Sequence, residues 1–226
     1  MAKLNVAWIK AALELAAQNK SKLLQFHYQT IIGESSQEIR HLLNNLCAAD
    51  NVNYLEIGVQ GGGTLLSAAA GNHKTKCVGI DNFVIKSSMR DVFDHHLNLH
   101  NVKDQSTEES NVNFIEDSFE SVNYKKLPKF NIVHFDVTPV TKETYENFFE
   151  KVFPNLAQEC LVVFTNTSLE DSALPLTQSL AKYQDHYKIL HEEEKTVRTM
   201  GNTNGWFNGI RIILFKKTMF KPKKEA

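Results

Sequence analysis

The sequence predicts an α/β fold: a Rossmann-like, doubly wound sheet of about seven strands, preceded by N-terminal helices. From Asn53 onward, short apolar runs alternate with longer amphipathic stretches, which is typical of βαβ units and a mostly parallel sheet. Near the C-terminus two strand-like runs, 187–197 and 209–216, are joined by a Gly/Asn loop at 201–205. That spacing favours a C-terminal antiparallel hairpin. With 226 residues, 42% of them hydrophobic, the chain is long enough to bury one core.

The individual elements follow from hydrophobic spacing. Helices are predicted at 64–70, at 87–99 and within 169–183, and strands at 54–59, 76–80, 113–115, 130–135 and 160–164. The clearest helix precedes the fifth strand, with an apolar face made by Tyr145, Phe148, Phe149, Val152, Phe153 and Leu156. Thr141 is its predicted N-cap, and Pro154 is expected to end or kink it early.

Residues 1–50 precede the first strand and are predicted to form an N-terminal helical cap, packed as one unit with the ligand-binding domain at 51–226. Ser35 and Glu38 match a capping box with Ser35 as the N-cap residue, and apolar residues follow in helical register. We expect these helices to cover the site or to form a contact between copies of the chain, in a homo-oligomer.

Composition excludes several classes of partner. The formal net charge of -1 lacks the basic excess of nucleic-acid-binding domains, so no nucleic-acid partner is expected. No apolar run approaches the roughly 20 residues of a membrane span, so no membrane partner is expected either. Three widely spaced cysteines, Cys47, Cys77 and Cys160, are best interpreted as buried free thiols, which favours a cytoplasmic location.

The segment that carries the chemistry runs from Tyr54 to Thr64 and reads as a strand, a glycine-rich turn and the start of a helix. In open α/β sheets such a turn approaches the ligand at the carboxyl end of the strand. A dinucleotide site requires the pattern GxGxxG, but Gln60 stands where its second glycine belongs, which argues against an NAD-dependent oxidoreductase. Glu56, two residues before Gly58, suits a cationic ligand instead.

Two further carboxylates follow the next strands. Asp81 ends the second strand 23 residues after Gly58, close to the spacing of about 20 at which an acidic side chain meets ribose hydroxyls. Such a carboxylate can accept one hydrogen bond from each hydroxyl. Asp117 follows the third strand, where it could accept a bond from an adenine amino group. Together these markers predict an adenosyl ligand.

Over residues 53–135 the chain resembles the class I S-adenosylmethionine (SAM)-dependent methyltransferases, and its glycine turn is similar to that of the macrocin and sugar O-methyltransferases. The resemblance implies that 51–226 is a SAM-binding methyltransferase domain. It also implies that Glu56, Gly58 and Gly62 line the methionine end, that Asp81 holds the ribose, and that Asp117 and Ser118 border the adenine. Gln60, Thr64 and Asn82 are further predicted cofactor contacts.

Asp136 follows the fourth strand and is the candidate catalytic base. In the resembled enzymes an aspartate here binds a divalent metal with acidic help from after the fifth strand, where this chain has Thr165-Asn166-Thr167. We therefore predict no catalytic metal, because hard cations favour carboxylate ligands. His134 is expected to be packed in the core, and three helix histidines, His95, His96 and His100, are expected to be solvated.

The leading hypothesis is a SAM-dependent O-methyltransferase that acts on a sugar, a glycan or another small hydroxylated molecule. A catalytically inactive SAM- or nucleoside-binding protein remains the main alternative, because acids are missing after the fifth strand. An NAD-dependent oxidoreductase is the third.

Overall fold

The computed structural model describes residues 4, 6–31, 33–103, 110–167, 170–193, 205–206 and 208–217. Seven strands within these residues form one sheet: β1 Asn53–Ile57, β2 Lys76–Asp81, β3 Val112–Glu116, β4 Ile132–Phe135, β5 Glu159–Thr165, β6 Tyr187–Glu193 and β7 Ile210–Lys216. Their order is β3-β2-β1-β4-β5-β7-β6. Strands β1 to β5 run parallel, and β7 pairs antiparallel with both β5 and β6. The predicted fold class is confirmed.

The helices lie where the amphipathic runs place them: α1 Val6–Ala17, α2 Gln25–Thr30, α3 Gln37–Cys47, α4 Gly63–Ala69, α5 Met89–Lys103, α6 Lys142–Asn147 and α7 Glu170–Ala181. Within the described ranges, none of them combines the length and the apolar character needed to cross a membrane. The predicted Gly/Asn loop at 201–205, apart from its last residue, lies outside the described residues, as does the predicted extension of β6 beyond Glu193.

Alternate strand residues pack on opposite faces of the sheet, as the pleat requires. Leu55 and Ile57 of β1 belong to a cluster shared with α6 and α7. Tyr54 belongs to the cluster on the other face, shared with α1, α3 and α4. Residues of one strand that lie two positions apart therefore face the same helices, which decides which side chains meet beneath the site.

Most element boundaries differ from the sequence analysis by one to four residues, and two of the differences lie beside the cavity. β1 ends at Ile57 rather than Val59, because Gly58 (φ +89°) turns the chain sharply. The N-cap of α3 is Ser36, whose Oγ accepts a hydrogen bond from the Ile39 amide at 3.2 Å. The predicted Ser35 is occupied elsewhere, because its Oγ accepts from the Arg40 guanidinium at 3.2 Å.

The helix with the clearest apolar face is buried as predicted, but its α-helical part is shorter than its apolar face. Thr141 caps α6 as predicted, accepting from the Thr144 amide. The α-helix ends at Asn147 and continues as a π-helical turn and then a 3₁₀ turn that contains Pro154. All six predicted apolar side chains are buried, so the change of helix type preserves the core face.

Candidate active site

A cavity of about 600 Å³ opens at the carboxyl ends of the parallel strands, a size typical of small-molecule sites. Segments that follow β1, β2, β3, β4 and β5 contribute to its wall, and Gly33, Glu34, Ser35 and Ile39 supply a wall from the N-terminal region. Eight of the ten predicted site residues line it: Gly58, Gln60, Thr64, Asp81, Asn82, Asp117, Ser118 and Asp136.

The glycine turn brings the backbones of β1 and β4 into close approach. A Cβ atom on Gly58 would lie 2.1 Å from the Asp136 carbonyl oxygen, and the φ of Gly58 is +89°. Gly62 is absent from the cavity wall and instead permits the turn, because its φ is +83° and a Cβ there would lie 2.8 Å from the Phe93 ring. Glycine at these positions is therefore a packing requirement.

Asp81 fastens the glycine turn to the end of β2. Its Oδ2 accepts hydrogen bonds from the amides of Val59 and Gln60, each at 2.8 Å, and its Oδ1 accepts from the Phe83 amide at 2.7 Å. A carboxylate offers about four lone-pair positions, so one remains for a ligand. The sequence had suggested one bond to each of two ribose hydroxyls; the turn itself takes three of the four positions.

Asp117, the predicted contact for the adenine, lies on the exposed rim of the cavity. Asp117 is exposed, and its Oδ1 accepts from the Ser118 amide at 2.8 Å. The Ser118 hydroxyl donates to Glu120. Phe119, which is buried and lines the cavity, supplies an apolar surface beside these polar groups. The rim therefore offers polar acceptors next to an aromatic wall.

Glu56 lies beneath the cavity rather than in its wall. Its side chain is 0% exposed, and it accepts hydrogen bonds from the Thr64 hydroxyl at 2.7 Å and the Tyr54 hydroxyl at 2.5 Å. His134 of β4 lies 3.2 Å away through Nδ1. The strand pleat explains the difference from the expected ligand contact, because it directs Glu56 towards the α3 and α4 side of the sheet.

His134 is fully buried, as predicted, but it is part of a polar network. Burial lowers the pKa of His134, while the hydrogen bond and charge of Glu56 and the charge of Asp136 raise it, and the net direction is upward. Its Nε2 lies 3.2 Å from the Thr165 hydroxyl. The imidazole therefore holds its proton more tightly in the folded chain than in the unfolded one.

This upward shift links folding to pH. A group whose pKa is raised by folding contributes stability that is present below its unfolded pKa and is lost as pH rises through the folded pKa. For His134 that loss begins near the usual value of 6.5. We expect the free energy of unfolding, measured by urea denaturation across pH 5 to 9, to fall less steeply in His134→Gln than in the original chain. The exposed His95→Gln is the control, and equal slopes in all three chains would contradict the linkage.

Asp136 directly follows β4 and lines the cavity. Its Oδ1 accepts from the Thr165 hydroxyl at 2.8 Å and from the Asn166 amide nitrogen at 2.6 Å. Burial raises the pKa of Asp136, and the His134 charge and these hydrogen bonds offset this only in part, so the pKa is raised. A carboxylate with a raised pKa is better matched to accepting a proton near neutral pH.

Three neutral side chains around Asp136 complete this end of the site. Asn166 has a left-handed backbone (φ +60°), and its Oδ1 accepts from the Asn208 side chain at 3.1 Å. Thr165, Asn166 and Asn208 all line the cavity. The position of Thr165 at the end of β5, next to β4, was the available sequence signal. The contact with Asn208 depends on the antiparallel return of β7, which sequence spacing does not position.

The groups beside Asp136 do not fit a divalent metal ion. The part of the chain that the structure describes contains no cluster of three or more His, Cys, Asp or Glu side chains that could hold one. Asp136 offers a single carboxylate, and one of its oxygens already accepts two hydrogen bonds. Hydroxyl and amide neighbours are weak substitutes for the oxygen anions that hard cations favour.

The predicted solvation of the α5 histidines is wrong for two of the three. His95 is exposed, but His96 is 3% exposed and His100 is 1% exposed. His96 Nδ1 lies 2.6 Å from the Gly61 carbonyl oxygen, which ties α5 to the glycine turn. His96 is tolerated on the buried face of α5 because its ring forms a hydrogen bond with the Gly61 carbonyl oxygen.

A buried guanidinium occupies the space between two glycines. Arg40 is 4% exposed, and a Cβ on Gly63 would lie 2.4 Å from its Nη2, while a Cβ on Gly33 would lie 3.0 Å from the same atom. Its Nη1 donates to the His27 carbonyl at 3.4 Å. Burial lowers the pKa of Arg40 to about 10, against an opposing effect of Glu56. The N-terminal region is thus locked to the start of α4.

Comparison with known proteins identifies similar solved structures but no match among family models or curated proteins. A precorrin-6y C5,15-methyltransferase from Geobacter metallireducens is 16% identical, with a TM-score of 0.59, over 83% of this chain and 91% of that chain. An S-adenosylhomocysteine (SAH)-bound methyltransferase from Podospora anserina is 14% identical, with a TM-score of 0.56, over 92% and 87%.

A protein from Staphylococcus aureus, assigned as a caffeoyl-CoA O-methyltransferase, is 16% identical with a TM-score of 0.57, over 94% of this chain and all of the other. At such identities the likeness establishes the fold alone, which is the Rossmann-like fold of these methyltransferases.

Proposed function

We propose that this chain is a SAM-dependent methyltransferase that transfers the methyl group to a hydroxyl oxygen of a sugar, a glycan or another small hydroxylated molecule. One observation carries the proposal: a single cavity is lined by the glycine turn, by Asp81, by Asp117 and Ser118, and by Asp136. The first three groups suit an adenosyl ligand, and the last suits a base. The fold shared with SAH-bound and O-methyl-transferring proteins supports the same assignment.

The residues present fit SAM. The cavity volume of about 600 Å³ is large enough for a ligand of this kind. Asp81 keeps one lone-pair position for a ribose hydroxyl, Asp117 can accept from the adenine amino group, and Phe83 and Phe119 provide apolar walls for the base. The methionine end would lie along Gly58 to Thr64. When bound there, SAM supplies a methyl group that its sulfonium already activates.

The chain's own task is to position the acceptor and remove its proton. An acceptor hydroxyl can donate to Asp136 Oδ2, since the hydrogen bonds from Thr165 and Asn166 go to Oδ1. Asn166 and Asn208 offer hydrogen bonds to neighbouring hydroxyls of a sugar-like molecule. Alignment converts a bimolecular step into a nearly unimolecular one, and the raised pKa of Asp136 favours proton acceptance as charge leaves the oxygen.

The same proposal extends to partners and location. A net charge of -1 supports a small acceptor rather than a nucleic acid. Cys47, Cys77 and Cys160 are free and buried, which supports a reducing, cytoplasmic location. The N-terminal helical cap, which supplies Gly33, Glu34, Ser35 and Ile39 to the cavity wall, would restrict access to the acceptor.

Calorimetry with SAM and SAH tests the cofactor directly. We expect Asp81→Asn to weaken SAH binding about 10- to 100-fold, because the change removes a charge from a carboxylate that orders the turn and faces the ligand. The matched control is Asp91→Asn, which makes the same change at an exposed position of α5 outside the cavity. Its affinity is expected to equal that of the original chain.

Three results would count against the proposal in different ways. A folded chain that binds neither SAM nor SAH overturns it. Tight SAH binding without methylation of any acceptor in a panel of hydroxylated molecules favours the second candidate, a non-catalytic SAM-binding protein, which the neutral Thr165 and Asn166 after β5 support. Binding of NADH in place of SAM, seen by fluorescence titration, favours an oxidoreductase.

A further inference from the structure

A continuous chain of polar side chains connects the buried Glu56 with the cavity at Asp136. Glu56 Oε2 lies 3.2 Å from His134 Nδ1, His134 Nε2 lies 3.2 Å from the Thr165 hydroxyl, and that hydroxyl lies 2.8 Å from Asp136 Oδ1. Glu56 and His134 are 0% exposed, and Thr165 is 5% exposed. The strand register explains the alignment, because Glu56 pairs with His134 across β1 and β4.

The number of available protons restricts how this chain can be hydrogen-bonded. Glu56 accepts from Tyr54 and Thr64 and so acts as an acceptor, which requires His134 Nδ1 to carry a proton. Thr165 has one hydroxyl proton and two close neighbours, His134 Nε2 and Asp136 Oδ1. Among the described residues, its one further acceptor is the Phe135 carbonyl, at 3.5 Å.

Two arrangements satisfy every contact with the same number of protons. In the first, His134 is protonated on both nitrogens and donates to Thr165, which donates to an ionised Asp136. In the second, Asp136 holds the proton and donates to Thr165, which donates to a neutral His134. The two differ only in the direction of two hydrogen bonds, so Thr165 can pass a proton between the carboxyl and the imidazole.

We propose that Thr165 and His134 form a proton relay behind Asp136, in which Glu56 positions the imidazole. This inference rests on the proposed function. The relay starts with Asp136 ionised and His134 protonated on Nδ1 only. The acceptor hydroxyl gives its proton to the Asp136 carboxylate, and rotation of the carboxyl group presents that proton to Thr165. The proton then moves to the Thr165 oxygen while the Thr165 proton moves to His134 Nε2. The acceptor oxygen keeps the electron pair of its O–H bond for the new bond to carbon, and no oxidant or reductant is required.

The charges around His134 favour the proton on the imidazole. Glu56 on β1 and Asp136 on β4 both face it and raise its pKa, and Tyr54 bonds the same Glu56 oxygen. The charge of Glu56 also acts on Arg40 of α3 and on the buried thiols Cys47 and Cys77. The relay returns Asp136 to its ionised form. After the product leaves, the proton passes back from His134 through Thr165 and Asp136 to water in the open cavity, which restores the neutral imidazole for the next acceptor.

Nitrogen NMR of ¹⁵N-histidine-labelled protein tests the proton linkage without any acceptor. In the original chain we expect His134 to carry protons on both nitrogens at pH 6 and to titrate above its usual value. Thr165→Val removes the acceptor of Nε2–H and is expected to lower the His134 pKa, while Thr165→Ser keeps the hydroxyl and restores it. Asp136→Asn, which removes a facing negative charge, is also expected to lower it.

Kinetics supply the second measurement. In Thr165→Val we expect kcat for methyl transfer to fall about 10- to 100-fold and its pH profile to move, while the affinity for SAH stays the same. Thr165→Ser is expected to recover both kcat and the profile, which a loss of simple packing would not predict.

The two measurements separate failure of the relay from failure of the proposed function. If His134 titrates identically in the original chain, Thr165→Val and Asp136→Asn, then the relay is overturned even in an active enzyme. If His134 shows the expected linkage in a chain that transfers no methyl group, both the catalytic relay and the proposed function are overturned.

Discussion

Asp136→Asn is expected to lower kcat for methyl transfer about 10²- to 10⁴-fold, the usual contribution of a positioned general base. The asparagine retains the size of the side chain and the backbone hydrogen bond from residue 136 to the Ile57 carbonyl at 2.9 Å. It removes the negative charge and the oxygen that accepts the proton. The measurement is steady-state methyl transfer to the best hydroxylated acceptor, with SAH affinity determined by calorimetry on the same preparation.

The control for this change is again Asp91→Asn, an exposed substitution outside the cavity. Asp136→Asn is expected to bind SAH as tightly as the original chain, because the Asp81 end of the cavity is unchanged. A kcat within a few-fold of the original would mean that another group, or solvent, takes the proton, and Asp136 would lose its assigned role.

Gly58→Ala is expected to lower the free energy of unfolding by about 2–4 kcal/mol, from the cost of a left-handed alanine added to overpacking. The new Cβ would meet the Asp136 carbonyl oxygen at 2.1 Å. Because Gly58 and Asp136 directly follow the paired strand residues Ile57 and Phe135, and the Cβ would meet a backbone oxygen, no side-chain rotation can relieve the contact. The strand ends must separate, which would also displace Asp136 and weaken SAH binding. Urea denaturation and calorimetry measure the two effects.

Gly71→Ala isolates the conformational cost. Gly71 also has a positive φ, +66°, but the atom nearest to its added Cβ is on the Lys22 side chain at 3.2 Å. We expect this variant to lose about 1 kcal/mol and to keep its affinity for SAH. If Gly58→Ala were no more destabilising than Gly71→Ala, the close approach of β1 and β4 would not constrain the site.

The spacing of hydrophobic residues along the sequence was enough to predict most of the fold, because it determines which face of each helix or strand is apolar. The alternation of apolar and amphipathic runs predicted the parallel strands and the final antiparallel pair. The face led by Tyr145 was predicted although its helix changes type at Phe148, since burial depends on the spacing and not on the hydrogen-bond pattern. The N-cap of α3 was missed by one residue, because Ser35 bonds Arg40 instead.

Non-local hydrogen bonding accounts for what sequence reasoning missed in the site. Nothing in the spacing of α5 reveals that His96 meets the Gly61 carbonyl 35 residues away. Asp81 was predicted from its spacing, but its three backbone amide partners become visible only when the turn is folded. Glu56 has the residue type of a ligand contact, yet its neighbours across the sheet make it a buried acceptor.

The buried guanidinium of Arg40 restricts which residues the chain can accept at the two glycine positions beside it. Positions 33 and 63 have no room for a side chain while arginine stands at position 40, since any Cβ would press on the same nitrogen atom. A shorter residue at 40 would vacate that volume and leave a hole beside the first turn of α4. Each added Cβ would also lie 3.0–3.1 Å from the other glycine's Cα, so a relative that replaces one glycine should both carry a smaller residue at position 40 and hold these two backbones slightly farther apart.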